Sequence, residues 1–132
     1  MNDASRGLLL FAHGARDPEW ARPFEAVAQS VRAQRPDTPL QLAYLEFMQP
    51  DLARAAAQLV QDGCRAVEVL PLFLGAGGHV RKDLPRLLDA LRAAHPGVRF
   101  ELHPAVGELP AVVQAMAGAA LSLLATKEAN QP

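Results

Sequence analysis

Apolar residues along this chain fall into two alternating rhythms. Residues 7–12, GLLLFA, form a short unbroken apolar run, as a strand covered on both faces does. Trp20, Phe24, Val27, Ala28 and Val31 then recur at helical spacing until Arg35-Pro36 ends the pattern. The alternation repeats. PLQLAYLE (39–46) predicts a second strand, and QPDLARAAAQLVQDG a second helix, with Pro50 near its first turn and Gly63 at its C-cap position. RAVEVLPLFL (65–74) predicts a third strand. Asp83 then offers an N-cap for a helix carrying Leu84, Leu87, Leu88 and Leu91, which ends before Pro96-Gly97. VRFELHP (98–104) alternates apolar with polar, the pattern of a half-exposed edge strand. ELPAVVQAMAGAALSLLATK predicts the last helix, with Pro110 in its first turn, and residues 127–132 read as a frayed tail.

Four strands alternating with four helices predict an α/β fold, a parallel sheet covered on both sides. Right-handed crossovers and the exposed pattern of the last strand favour a doubly wound, flavodoxin-like order of 2-1-3-4. No repeat or linker interrupts residues 1–126, which read as one domain, and 132 residues bury a core without disulfides. A net charge of -1, with the charges interspersed, lacks the basic footprint of a nucleic-acid binder. No stretch approaches the roughly 20 apolar residues of a membrane span. The first apolar run is too short, and lacks the basic start, for a secretory signal, so a cytoplasmic location is expected. Cys64 has no second cysteine for a disulfide or a CxxC site, and reads as a small buried thiol. Lys82 and Lys127 are the only lysines against many arginines. Genome composition or a need for bidentate carboxylate recognition would each produce that bias.

In a doubly wound sheet ligands bind beyond the carboxyl ends of the strands, where strand order reverses, here between strands 1 and 3. His13 follows strand 1, Glu46 ends strand 2, and His79 follows strand 3 in the glycine-rich stretch LFLGAGGHVRKDLP. Neighbouring strands lie about 4.8 Å apart, so an extended glutamate and a histidine on a glycine loop can reach one ion from strands roughly 10 Å apart. Two imidazoles and a carboxylate with open positions suit a transition metal that must exchange ligands. A rim histidine taken singly is more often a hydrogen-bonded loop residue than a ligand, and a carboxylate that ends a strand, as Glu46 does, can serve simply as a cap. Other motifs fail. GAGGHVRK lacks the Lys-Ser or Lys-Thr of a P-loop and has Val80 where the dinucleotide fingerprint needs glycine. There is no GxSxG elbow, and Ala12, not arginine, precedes His13-Gly14. His103 at the edge strand reads as hydrogen-bonded or exposed, His95 as helix C-terminal, and Trp20 as core or interface on the first turn of helix 1.

LLLFAHGARDPEW, YLEFMQPDL and LPLFLGAGGHVRKDLP together resemble the CbiX/SirB family of class II chelatases. The family pattern reads HGSRDP, then FLE with a following proline, then PLFL-x-x-G-x-H-x-x-x-D-[IL]-P. Ala15 stands where serine is usual, and from about Gly97 onward the chain follows the family only in general pattern. The resemblance implies a chelatase-like fold and insertion of cobalt, ferrous iron or nickel into sirohydrochlorin or a related tetrapyrrole, in cobalamin or sirohaem-type biosynthesis. It makes His13 and His79 the metal-binding and catalytic histidines, with Glu46 the assisting carboxylate. No permanent cofactor is implied, because the divalent metal is a substrate. Short members resemble homodimers whose clefts lie between protomers. The carboxylates of such a macrocycle call for cations, for which Arg16 and Arg81 are candidates beside Gly77 and Gly78. A metal-binding carrier or sensor that processes no tetrapyrrole is the rival reading. It would need only the ligands, whereas here both histidine loops carry adjacent cations.

Overall fold

A computed structural model describes residues 5–75 and 77–129, the side chains of His79 and of 126–129 excepted. Strand β1 (Arg6–Ala12) lies at the centre of a four-stranded parallel sheet, between β2 (Leu40–Tyr44) and β3 (Ala66–Pro71), with β4 (Arg99–Leu102) beyond β3. The order 2-1-3-4 is the expected one. Leu10 pairs with Leu42 on one side and Leu70 on the other. β1 is apolar along its whole length because both faces are covered. Leu9 and Phe11 enter the main core with Leu59, Val67, Leu88 and Phe100, while Leu10 and Ala12 face Ala28, Ala21 and Tyr44 on the opposite side. β4 alternates as an edge strand should, with Phe100 buried and Arg99 and Glu101 exposed.

The helices hold the main differences from expectation. Helix α1 is Arg22–Gln34, and Trp20 lies before it in a 3-10 turn, Pro18–Ala21, which Asp17 caps by accepting from the Glu19 backbone N–H at 3.0 Å. Trp20 stacks obliquely on Phe24, with ring centroids 4.6 Å apart, and packs in a small cluster. Val27, expected in the buried stripe of α1, is exposed. Helix α2 (Leu52–Gln61) starts after Pro50, with Asp51 as the cap that accepts from the Arg54 N–H at 2.9 Å. It ends as expected. Gly63 takes φ +99°, its N–H reaching the Val60 carbonyl and that of Cys64 the Leu59 carbonyl, which satisfies the helix's last acceptors. Cys64 is buried, as read from the sequence.

Helix α3 (Gly78–Ala94) begins five residues before Asp83, so Asp83 is an interior residue and Gly77 the cap. The cause lies in packing. Val80 continues the Leu84–Leu88–Leu91 stripe by one more turn and packs on the main core, which outweighs Pro85 inside the helix. His95 is the C-cap, where it was placed. Helix α4 (Pro110–Ala129) includes residues 127–129 of the expected tail, and 130–132 lie outside the described residues. Its described side chains, from Pro110 to Ala125, are all exposed except half-buried Val112. Among the described residues no helix is long and apolar enough to cross a membrane.

Candidate active site

β1 and β2 both run on past their assigned ends. The Leu45 N–H reaches the Ala12 carbonyl and the Glu46 N–H the His13 carbonyl, at 2.9 and 3.1 Å. The two exits therefore travel together, and Gly14 permits it: at φ +94°, a Cβ there would lie 1.9 Å from the Glu46 carbonyl oxygen. Locked side by side, the two residues put their side chains in contact. His13 Nε2 is 3.1 Å from Glu46 Oε1, and each side chain is about half exposed, 46% and 48%. A carboxylate accepts and cannot donate, so a neutral ring in this contact carries its hydrogen on Nε2 and its lone pair on Nδ1. The ring also rests edgewise near Phe73, at 6.1 Å between centroids.

This pair lines the mouth of a cleft of about 330 Å³, whose other walls are Leu45 and the Val80, Asp83, Leu84 and Leu87 positions of α3. His79 occupies the first turn of α3, next in sequence to Val80. The backbone thus brings the three expected residues to one rim, with His13 and Glu46 in direct contact. Among the described residues no three His, Cys, Asp or Glu side chains gather closely enough to hold an ion by themselves. Gly77 and Gly78 face open space, for a Cβ built on either meets nothing within 4 Å.

The candidate cations are engaged differently. The Arg16 guanidinium lies over the Phe47 ring, 5.0 Å from its centroid. Arg81 pairs with Glu108 at 3.6 Å, both well exposed, a contact weak enough to exchange for another carboxylate. His103 is hydrogen-bonded to Glu68 at 2.6 Å, in keeping with its reading as a partnered edge histidine. That bond is the main reason the Glu68 carboxyl is held below the usual carboxylate range, burial opposing it and Arg6 assisting. Two rim residues escaped the sequence reading. Asp83 looked like a cap and instead lines the cleft. Phe47 carried no signal beyond following Glu46.

The CbiX family model matches residues 7–121. A sirohydrochlorin cobaltochelatase of Saccharolobus islandicus is 34% identical over 100 residues, 73% of this chain and 77% of its own. That of Methanocaldococcus jannaschii is 28% identical over 88 residues, 67% and 62% of the two chains. Among solved structures, a CbiX protein from Marinobacter aquaeolei VT8, named for cobalamin biosynthesis, matches with a TM-score of 0.81 at 30% identity, over 92% of this chain and 98% of that one. Sirohydrochlorin chelatase SirB from Bacillus subtilis subspecies spizizenii, solved with cobalt, shares the fold at a TM-score of 0.74 and 22% identity. The match covers 84% of this chain but only 47% of SirB.

Proposed function

Because this chain belongs to the CbiX family, we propose that it is a chelatase that inserts a divalent metal ion into sirohydrochlorin or a closely related tetrapyrrole. The observation that carries this reading is the His13–Glu46 pair at the mouth of a cleft with apolar walls. For insertion, pyrrole N–H protons must leave the macrocycle while the metal sheds ligands into the ring. A neutral imidazole with its lone pair on Nδ1 can ligate such an ion or accept such a proton. Glu46 holds the ring in that tautomer and orientation through Nε2. His79 supplies the second imidazole, from the first turn of α3. Leu45, Val80, Leu84 and Leu87 give the macrocycle an apolar wall, Arg16 and Arg81 meet its carboxylates, and Gly77 and Gly78 leave room for its edge.

The metal is a substrate and leaves with the product, so no permanent cofactor is required. Cobalt is the first choice, supported by relatives named sirohydrochlorin cobaltochelatase, and the product of that reaction would serve cobalamin synthesis. Ferrous iron and nickel suit the same donors. We further propose that the working form is a homodimer, for which the exposed apolar helix α4 is the support. An anaerobic absorbance assay with sirohydrochlorin and Co²⁺, Fe²⁺ or Ni²⁺ in turn tests the activity against protein-free controls. Protein-dependent conversion of the macrocycle spectrum is expected, fastest with Co²⁺. No acceleration with any of the three ions, in folded protein, would overturn the reading.

A further inference from the structure

Phe47 is placed at a cost that the fold does not recover. Its φ is +65°, in the left-handed region that a bulky side chain avoids. The Met48 N–H reaches back to the Glu46 carbonyl at 2.8 Å, so Phe47 is the central residue of a three-residue turn with positive φ, a rare and strained form. An aromatic residue held in this way usually buries its ring in return. Phe47 does not: 59% of its surface is exposed. Strain that yields no burial and sits next to a candidate catalytic carboxylate points to function.

What holds the ring also says what it is for. The turn follows Glu46, whose backbone is fixed against His13 and Gly14, so Phe47 is presented from a rigid support beside the His13–Glu46 pair. Arg16, from the loop after β1, lays its guanidinium over the ring at 5.0 Å. The rim thus offers a flat apolar surface and a forked cation as one unit, next to the groups proposed to do the chemistry. A ligand that matches it is flat and conjugated over its centre and anionic around its edge.

Resting on the chelatase reading, we propose that Phe47 and Arg16 form a platform on which the tetrapyrrole lies, its conjugated face on the part of the Phe47 ring that Arg16 leaves open and one peripheral carboxylate on the Arg16 guanidinium. Phe47 is then a substrate-binding residue that sets the macrocycle's height and tilt against His13. Its backbone strain is the cost of presenting an exposed ring at the rim.

The test is anaerobic titration of metal-free sirohydrochlorin, followed by absorbance, into wild type and the variants Phe47→Gly, Phe47→Leu, Phe47→Trp and Arg16→Gln, with thermal unfolding and sedimentation measured on each. Phe47→Gly should bind the macrocycle about 5- to 10-fold more weakly. It should also melt no lower than wild type, because glycine takes a positive φ without strain. Phe47→Leu should lose affinity as well, being apolar but not flat, while Phe47→Trp should keep it. In steady-state assays the loss should appear in KM more than in kcat, and Arg16→Gln should cost less in the Phe47→Gly background than in wild type. If wild type binds and both Phe47→Gly and Phe47→Leu bind within about twofold of it, the platform is overturned while the chelatase reading stands. The same holds if Phe47→Gly dissociates an oligomer with affinity per chain unchanged, since the ring would then serve a protein contact. If wild type itself neither binds nor converts the macrocycle, the functional reading fails first and takes the platform with it.

Discussion

His13 and Glu46 meet because two adjacent parallel strands end at the same level and their exits stay hydrogen-bonded for two more residues. The contact is therefore built into the sheet and needs no ligand to form it. His13→Ala should lower turnover by about a hundredfold or more, the usual scale for losing a proton-transfer group, without unfolding the protein. Glu46→Gln keeps the shape, but its amide both donates and accepts and no longer fixes the imidazole tautomer. About tenfold is expected there, the scale of an outer partner to a ligating histidine. Steady-state rates with circular dichroism on each variant decide the matter, and near-normal turnover in His13→Ala would remove it from the chemistry. Both residues were legible in the sequence, since a residue that ends a buried apolar run must lie at the sheet rim. Phe47 was not, because its distinction is a backbone angle and an exposure, and neither is written in residue type.

Strands and helices differed in how much of them could be read. The four strands were legible because burial on both faces leaves an unbroken apolar run and burial on one leaves alternation. The start of α3 was not. Asp83 followed closely by Pro85 imitates a helix N-terminus, and only the packing of Val80 on the core shows that the helix had already begun. Side-chain ties between strands were equally hidden. On the face of the sheet turned away from α2 and α3, Glu68 of β3 accepts from Arg6 of β1 at 3.1 Å and bonds His103, just beyond β4, at 2.6 Å. The His103 bond above all keeps the Glu68 carboxyl below its ordinary range. A carboxyl depressed in the folded state adds stability that is fully present above its unfolded value, about 4.3, and is lost as pH falls through the folded value. Glu68→Gln should therefore lower the melting temperature at neutral pH by the equivalent of about 1 kcal/mol or less, the groups being partly exposed. The gap from wild type should narrow as pH falls below that unfolded value. A gap that stayed constant across that range would show that the carboxyl's charge contributes nothing.

At the scale of the whole molecule, α4 is the element that one copy of the chain does not explain. A helix apolar on every side is found where it is covered, and a surface helix carries a polar face that α4 lacks. Val113, Met116, Leu121, Leu123 and Leu124 are all exposed on it, with the last three between 58% and 65%. An apolar surface of that extent marks an interaction site on a soluble protein. A net charge of -1 sets little repulsion against a second copy. The homodimer proposed above would cover this helix. Wild type should then sediment at twice the 14.2 kDa of one chain. Leu121→Glu with Leu124→Glu, which puts two carboxylates three residues apart on one helix face, should give a monomer whose sheet still folds. If the partner completes the cleft, that monomer should also lose turnover while His13 and Glu46 remain intact. A wild type that sediments as a monomer and still turns over would mean that α4 covers no second copy and that one rim suffices. Loss of the dimer with full activity would separate the two claims, leaving the interface and removing its part in the chemistry.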